Sequence, residues 1–248
     1  MDPQTSTEVA TRQLREAILS GALKPGEKLH QDRLAEMLQI SRTPLRAALT
    51  TLSQTGLVSY ASNRGFYVRE FSFSDVAGAF AVRAQLEAMA CRLAAEHMTE
   101  DDSNHLLQLV ADGDALLETG ALLAENLPAY RQMNVAFHTA IIGLAKNPWI
   151  QIFVENLQNV PIASDRIIVW RDFNVIERSH DDHRRIARAL SNRQGERAAA
   201  IMHEHVVFAL EHLEEQLKLY PQDFLRMPLA DKPVKIRSGS PKNRRRTA

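Results

Sequence analysis

The stretch LHQDRLAEMLQISRTPLRAALTTLSQTGLVSYASNRGFYVR, residues 29–69, decides the fold of the first part of this chain. Gln31 to Leu38 reads as a short helix with Leu34, Ala35 and Leu38 on one face. Ser41 or Thr43 is placed to cap a second helix. Pro44 falls in its first turn, where a missing N–H leaves no helix bond unmade. Leu45, Ala48, Leu49 and Leu52 then repeat at helical spacing until Gly56 stops the pattern. Leu57–Tyr60 and Phe66–Arg69 are rich in β-formers and flank the turn signal Asn63-Arg64-Gly65. Two short helices followed by a hairpin predict a winged helix-turn-helix. The second helix of such a unit fits the major groove of B-DNA.

Working outward, Thr7 to Ser20 carries Val9, Leu14, Ala17 and Ile18 as an apolar stripe closed by Gly21, and Lys24-Pro25-Gly26 is a turn. The candidate DNA contacts cluster at the start of the second helix. Arg42 and Arg46 are four residues apart and share a face. Each guanidinium can fork onto guanine O6 and N7 or clamp a phosphate. Ser41 and Thr43 add short hydroxyls where a helix N-terminus already favours anions. Asn63, Arg64 and Gly65 at the hairpin tip are candidates for a neighbouring groove. The competing reading is a small domain whose polar face only meets water. Capping, arginine spacing and hairpin agree in favouring a double-stranded DNA partner.

From Asp75 onward the period is helical throughout. It predicts helices near 74–98, 101–119, 121–145, 148–169, 173–191 and 194–219. Pro128 is expected to bend or split the third, and no alternation of period two predicts a sheet. The expected fold class is therefore mainly α. It comprises a winged helix-turn-helix over residues 1–70, an all-α bundle over 74–219 and a basic tail over 220–248 without fixed structure.

Net charge is zero over the 248 residues but is segregated. Residues 1–70 hold 9 Lys+Arg against 7 Asp+Glu, residues 71–230 hold 14 against 22, and residues 231–248 hold 7 against 1. A mildly basic head, an acidic body and a basic tail fit DNA contact at the ends only. A merely solubilising tail is the alternative. No run approaches the length of a membrane span, and the first residues carry no apolar signal segment. With a single cysteine, Cys91, the expected location is the cytoplasm, away from any membrane.

Three histidines stand out in the helical half. His138 shares a stripe with Asn134, Ile141 and Ala145. His183 lies with Ile186, Ala187 and Leu190, and His205 with Ala198, Ile201, Phe208 and Ala209. Each points inward from a different helix. Buried imidazoles need a metal, an acid or water as partner. Three His nitrogens suit Zn²⁺ or Ni²⁺ with open positions for water or ligand oxygens; three separately hydrogen-bonded core histidines are the alternative. His97, His105, His180, His203 and His212 are expected at the surface or its edge. No carboxylate holds a matching inward position. Glu204 and Asp182 adjoin histidines in sequence, which turns them roughly 100° away on their helices. That argues against a metalloenzyme.

The segment LREAILSGALKPGEKL…LAEMLQISRTPLRAAL…LSQTGLV…NRGFYV resembles the DNA-binding domain of GntR-family transcription regulators over nearly all of residues 8–70. Ala47 stands where that family usually has Glu, and Asp32 where some members place a basic DNA-contacting residue. Residues 74–217 are similar to the all-helical FCD ligand-binding domain of the FadR subfamily. The motifs are Arg83-Ala84-Gln85-Leu86-Glu87, Asn134-x-x-Phe137-His138, Asn147-Pro148, Asp182-His183 followed by Ala189-Leu190, and Ala198 to His205. Six helices match the shorter, VanR-like variety.

The resemblance implies a divalent metal held by an Asp and three His, positions that fall on Asn134, His138, His183 and His205. Asn134 offers only a neutral amide oxygen, so a weak or missing fourth ligand is expected. Arg83 lies in the region that lines the effector cavity in the family, where its guanidinium could fork onto a carboxylate. On a helical wheel it sits at the edge of a stripe of Ala79, Val82, Leu86, Met89 and Leu93. The alternative for it is a surface pair with Glu87, four residues on. The expected protein is a non-enzymatic, ligand-responsive transcription regulator. It would act as a homodimer on a palindromic operator, with a small organic acid as effector. A constitutive DNA-binding protein whose helical half only dimerises, and a metalloenzyme with a DNA-tethering head, are the competing functions.

Overall fold

The computed structural model describes residues 5–160 and 172–219. The basic tail expected over 220–248 lies outside the described residues. Contacts divide the chain into two compact units, with the boundary between Phe71 and Ser72.

The first unit runs α1 (Ser6–Leu19), α2 (Gln31–Leu38), α3 (Arg42–Gln54), β1 (Val58–Ala61) and β2 (Gly65–Val68). Thr5 and Glu8 cap α1 reciprocally, side chain to backbone in both directions. The two strands are antiparallel, with Val58 opposite Val68 and Ala61 opposite Gly65. Asn63 (φ 61°) and Gly65 (φ 95°) supply the left-handed backbone that the tight turn requires. The hairpin also gains a short third edge. Lys28 pairs with Tyr67, the Leu29 N–H donates to the Phe66 carbonyl, and the Val68 N–H donates to the Glu27 carbonyl. That edge is too short to leave an alternating pattern in the sequence. Leu14, Leu45, Leu49, Leu52 and Leu57 close the core, each contributing about 1.5–3 kcal/mol of burial.

The second unit is helical among the described residues. It comprises α4 (Phe73–His97), α5 (Glu100–Leu117), α6 (Leu127–Leu144), α7 (Pro148–Leu157), α8 (Phe173–Ser191) and α9 (Gly195–Leu219). Capping boxes start α4 (Ser72 with Asp75) and α5 (Thr99 with Asp102). The central helix is α4, packed against α6, α7, α8 and α9. Gly195 permits the α4–α9 approach, since a Cβ there would lie 3.2 Å from the Arg92 carbonyl oxygen and 3.1 Å from the Ala95 Cβ.

Three expectations need correction. The third bundle helix begins at Leu127 rather than 121, so Pro128 sits in its first turn and starts the helix instead of bending it. The fourth ends at Leu157, and most of its expected extension to 169 lies outside the described residues. On α4, Val82 and Met89 are each 48% exposed, whereas Arg83 and Glu87 are buried at 4% and 1%. Ala79 is buried and Leu86 and Leu93 pack against the core as the wheel expects, but the buried face is rotated to take in the Arg83–Glu87 ion pair.

Candidate functional site

In the first unit, Ser41 is the N-cap residue of α3, although its side chain makes no capping bond. Arg42, Thr43 and Arg46 follow on the exposed side and line one groove with Gln31 and Thr50. Arg42 Nη2 lies 2.7 Å from Asp32 Oδ1 of α2, and both side chains are mostly solvent-exposed. Such a pair contributes at most about 1 kcal/mol, but it biases where the Arg42 fork points. Asn63 and Arg64 are exposed at the hairpin tip, and Gly65 opens β2. The sequence-predicted residues thus form two solvated surfaces, a helix start and a turn.

In the second unit, α6, α8 and α9 bring His138, His183 and His205 together, with exposures of 2%, 0% and 5%. One nitrogen from each ring falls within 4.8 Å of the others. Ring centroids are 5.4 Å apart for His138–His183, 5.4 Å for His138–His205 and 4.7 Å for His183–His205. Both nitrogens of His183 and Nδ1 of His205 are buried without a hydrogen-bond partner. Leaving a buried polar group unpaired costs about 1–3 kcal/mol, so these nitrogens are suited to binding a cation or a hydrogen-bond donor. Burial, helped by the neighbouring rings His205, His138 and His180, holds His183 well below the ordinary histidine range. Burial and His138 push His205 down to about 3. The neutral rings of His183 and His205 offer lone pairs, and three imidazoles at this separation fit a divalent cation. Asn134, one turn before His138 on α6, is 9% exposed.

A carboxylate does face this cluster, contrary to the sequence reading. His138 Nδ1 donates to Glu87 Oε2 at 2.6 Å, and Arg83 Nε donates to Glu87 Oε1 at 2.6 Å. Burial alone would raise the Glu87 carboxyl, but Arg83 and His138 more than offset it and hold it far below the usual carboxylate range. With Nδ1 committed to Glu87, His138 presents Nε2 as its lone pair, the arrangement that orients metal-binding imidazoles. Arg83 does pair with Glu87, but in the interior rather than at the surface. The signal for this was the i, i+4 spacing of Arg83 and Glu87. Spacing alone suggests such a pair only as a surface alternative to an effector contact, because charge is rarely buried.

Asp182 is also buried, at 2%, with Oδ1 accepting from Arg185 at 2.8 Å. Its Oδ2 lies 3.9 Å from His205 Nδ1, too far for a hydrogen bond. The offset of one residue from His183 leaves Asp182 beside His205 of α9 rather than in solvent. Burial raises the Asp182 carboxyl above its ordinary value. His180 and His212 are buried at 2% and 9%, not superficial. His97 and His105 are exposed and His203 is half-buried.

A winged helix-turn-helix joined in one chain to an all-helical unit is the architecture of a DNA-binding regulator. Comparison with known proteins agrees. The model for bacterial regulatory proteins of the gntR family matches residues 6–68, and the FCD domain model matches residues 79–208. The chain belongs to the GntR family of transcription regulators and carries an FCD domain.

Among its relatives, the Nta operon transcriptional regulator of Aminobacter aminovorans is 29% identical over 198 residues, 79% of this chain and 87% of the relative. The HTH-type transcriptional regulator LutR of Bacillus subtilis (strain 168) is 29% identical over 223 residues, 82% of this chain and 97% of the relative. The solved structure of E. coli McbR/YncC superposes with a TM-score of 0.68 at 24% identity, over 86% of this chain and 99% of that one, a likeness of fold. These relatives are named as regulators rather than enzymes. Among the described residues no helix is long and apolar enough to cross a membrane.

Proposed function

We propose that this chain is a ligand-responsive regulator whose helical unit binds a small organic acid at a divalent metal held by His138, His183 and His205. The observation that carries this reading is the cluster of three buried imidazoles with unsatisfied nitrogens. Zn²⁺ is the favoured ion, with Ni²⁺ next, because three neutral nitrogens suit both. When bound, the ion would act as a Lewis acid with open positions for ligand oxygens. Glu87 fixes the His138 tautomer, Arg83 supplies a second positive charge behind it, and Asn134 contributes at most a neutral oxygen. The missing acidic ligand leaves more net positive charge for an anionic effector.

At the DNA end, Ser41, Arg42, Thr43 and Arg46 would meet base edges and phosphates in the major groove. Asn63, Arg64 and Gly65 would meet the neighbouring groove. A homodimer places two such heads on a palindromic operator with half-sites about one turn, ~34 Å, apart or a multiple of it. The acid then acts by differential affinity for the DNA-competent and DNA-incompetent arrangements of that dimer. The test is to select an operator from random-sequence duplex DNA and follow its binding by anisotropy with Zn²⁺ and a panel of organic acids. The reading expects a palindromic consensus and an acid that shifts the operator affinity only when metal is present. A consensus that no acid affects would instead leave a constitutive DNA-binding protein.

A further inference from the structure

The two arginines that open α3 differ in their surroundings. Both are exposed and line one groove. Arg42 is held from the neighbouring helix, its Nη2 lying 2.7 Å from Oδ1 of Asp32 in the first turn of α2. The Arg46 guanidinium, one turn further along α3, has no ion-pair partner among the described residues. A carboxylate on a surface that meets phosphates works against binding. It repels the backbone and cancels one of the cations whose counterion release drives association. With side-chain exposures of 75% for Arg42 and 72% for Asp32, the pair adds little to the stability of the fold. Its effect therefore falls on what Arg42 can do. A free arginine side chain has many rotamers and takes a phosphate as readily as a base. With one Nη held by a carboxylate, the guanidinium is oriented and its charge is balanced, which weakens its pull on phosphate. The N–H groups turned away from Asp32 still form a fork, the geometry that matches O6 and N7 of guanine. Loss of water from the groove on DNA binding strengthens the pair.

We propose that Asp32 is a specificity-determining residue that braces Arg42, so that this side chain reads one guanine in each half-site instead of clamping phosphate. The proposal rests on the reading given above that α3 enters the major groove with Arg42 facing the bases. Asp32 acts here as a positioning residue and makes no base contact of its own. Its presence lowers affinity for DNA in general and raises discrimination between sequences. Arg46, which carries no such brace, keeps its full charge for the backbone.

The test uses the full chain as wild type, Asp32→Ala, Arg42→Ala and the double variant. The duplexes are the operator selected by the wild type from random sequence, its single-base variants and an unrelated sequence. Anisotropy titrations over a range of salt read base preference and salt slope together. Asp32→Ala is expected to lower the preference for guanine at one position per half-site by about tenfold, within the range of a bidentate contact. It should also bind the unrelated duplex more tightly, with a salt slope steeper by about 0.9 for each phosphate that a released Arg42 takes up. Arg42→Ala loses the same base preference, and the double variant loses no more than Arg42→Ala alone. An unchanged preference and slope in Asp32→Ala, while Arg42→Ala loses the preference, overturn the brace and leave Arg42 standing as a base reader. A further loss of preference in the double variant also overturns it, because Asp32 would then read a base itself, as an acceptor for cytosine N4. Retention of every base preference in Arg42→Ala removes the reading of Arg42 and the brace together.

Discussion

Replacing Glu87 with Gln removes one charge from the interior and keeps the volume. In the native protein the carboxylate accepts from Arg83 Nε and His138 Nδ1, each at 2.6 Å, with the group only 1% exposed. Removing one partner of a buried ion pair destabilises by about 3–5 kcal/mol, because the other charge stays buried and uncompensated. The amide retains an acceptor oxygen for one of the two donors, so the low end, about 3 kcal/mol, is expected. In a domain of this size 1 kcal/mol moves the melting temperature by about 2–4 °C, which gives a drop of roughly 6–12 °C. A second effect is independent of stability. His138 loses the carboxylate that fixes its Nδ1 proton, and loss of such a partner weakens metal binding by about 10–100-fold. Thermal unfolding by circular dichroism in EDTA measures the first effect, and competition for Zn²⁺ with a chromophoric chelator measures the second. A melting temperature within about 2 °C of wild type together with unchanged Zn²⁺ affinity would refute the Arg83–Glu87–His138 chain.

Other substitutions and conditions probe the remaining links. Arg42→Ala and Arg46→Ala should each weaken operator binding by about 1–3 kcal/mol if they read bases. A phosphate contact would instead weaken all sequences alike and flatten the salt dependence. Unchanged affinity in both variants removes α3 from the interface. The metal-free protein should lose stability as pH falls below about 6.5, the ordinary histidine value. His183 and His205 are held neutral by burial, so the unfolded chain binds more protons than the folded one between that value and the folded value, about 3 for His205. Each such ring contributes up to about 1.4 kcal/mol per pH unit in that window, and urea midpoints in EDTA that do not change between neutral and mildly acid pH would contradict it. Gly113→Ala should destabilise by about 1–3 kcal/mol, because its Cβ would meet the His180 ring and Met133 in a packed interior. A wild-type melting temperature would show that the ring moves aside freely. Asn134→Asp should tighten Zn²⁺ binding by adding a charged oxygen one turn before His138, and an unchanged dissociation constant would place that side chain outside the metal's reach.

The winged unit was legible because its signals are local. Caps, the proline in the first turn of α3 and the Asn-Arg-Gly turn each act within a few residues, and they agree. The three histidines were legible because each lies on an apolar stripe of its own helix, so burial could be read helix by helix. What surrounds them was not. Glu87 reaches His138 across a sequence separation of 51 residues, and no periodicity marks a carboxylate that is buried because its neighbours pay its desolvation. The same blindness placed Val82 and Met89 inside and His180 outside. Asp114, which accepts from His180, lies on α5, and the absence of a side chain at Gly113 gives no hint that an imidazole fills that space. Pattern reading assigns faces by hydrophobicity, and it fails where a face is buried for the sake of a polar centre.

The most direct test of the histidine centre is the metal content of the full chain, purified without chelator or affinity tag, in wild type and in His183→Gln. About one divalent ion per wild-type chain is expected, with none in the variant while circular dichroism reports an intact fold. Wild-type protein that carries no metal and takes up neither Zn²⁺ nor Ni²⁺ on titration would contradict the account.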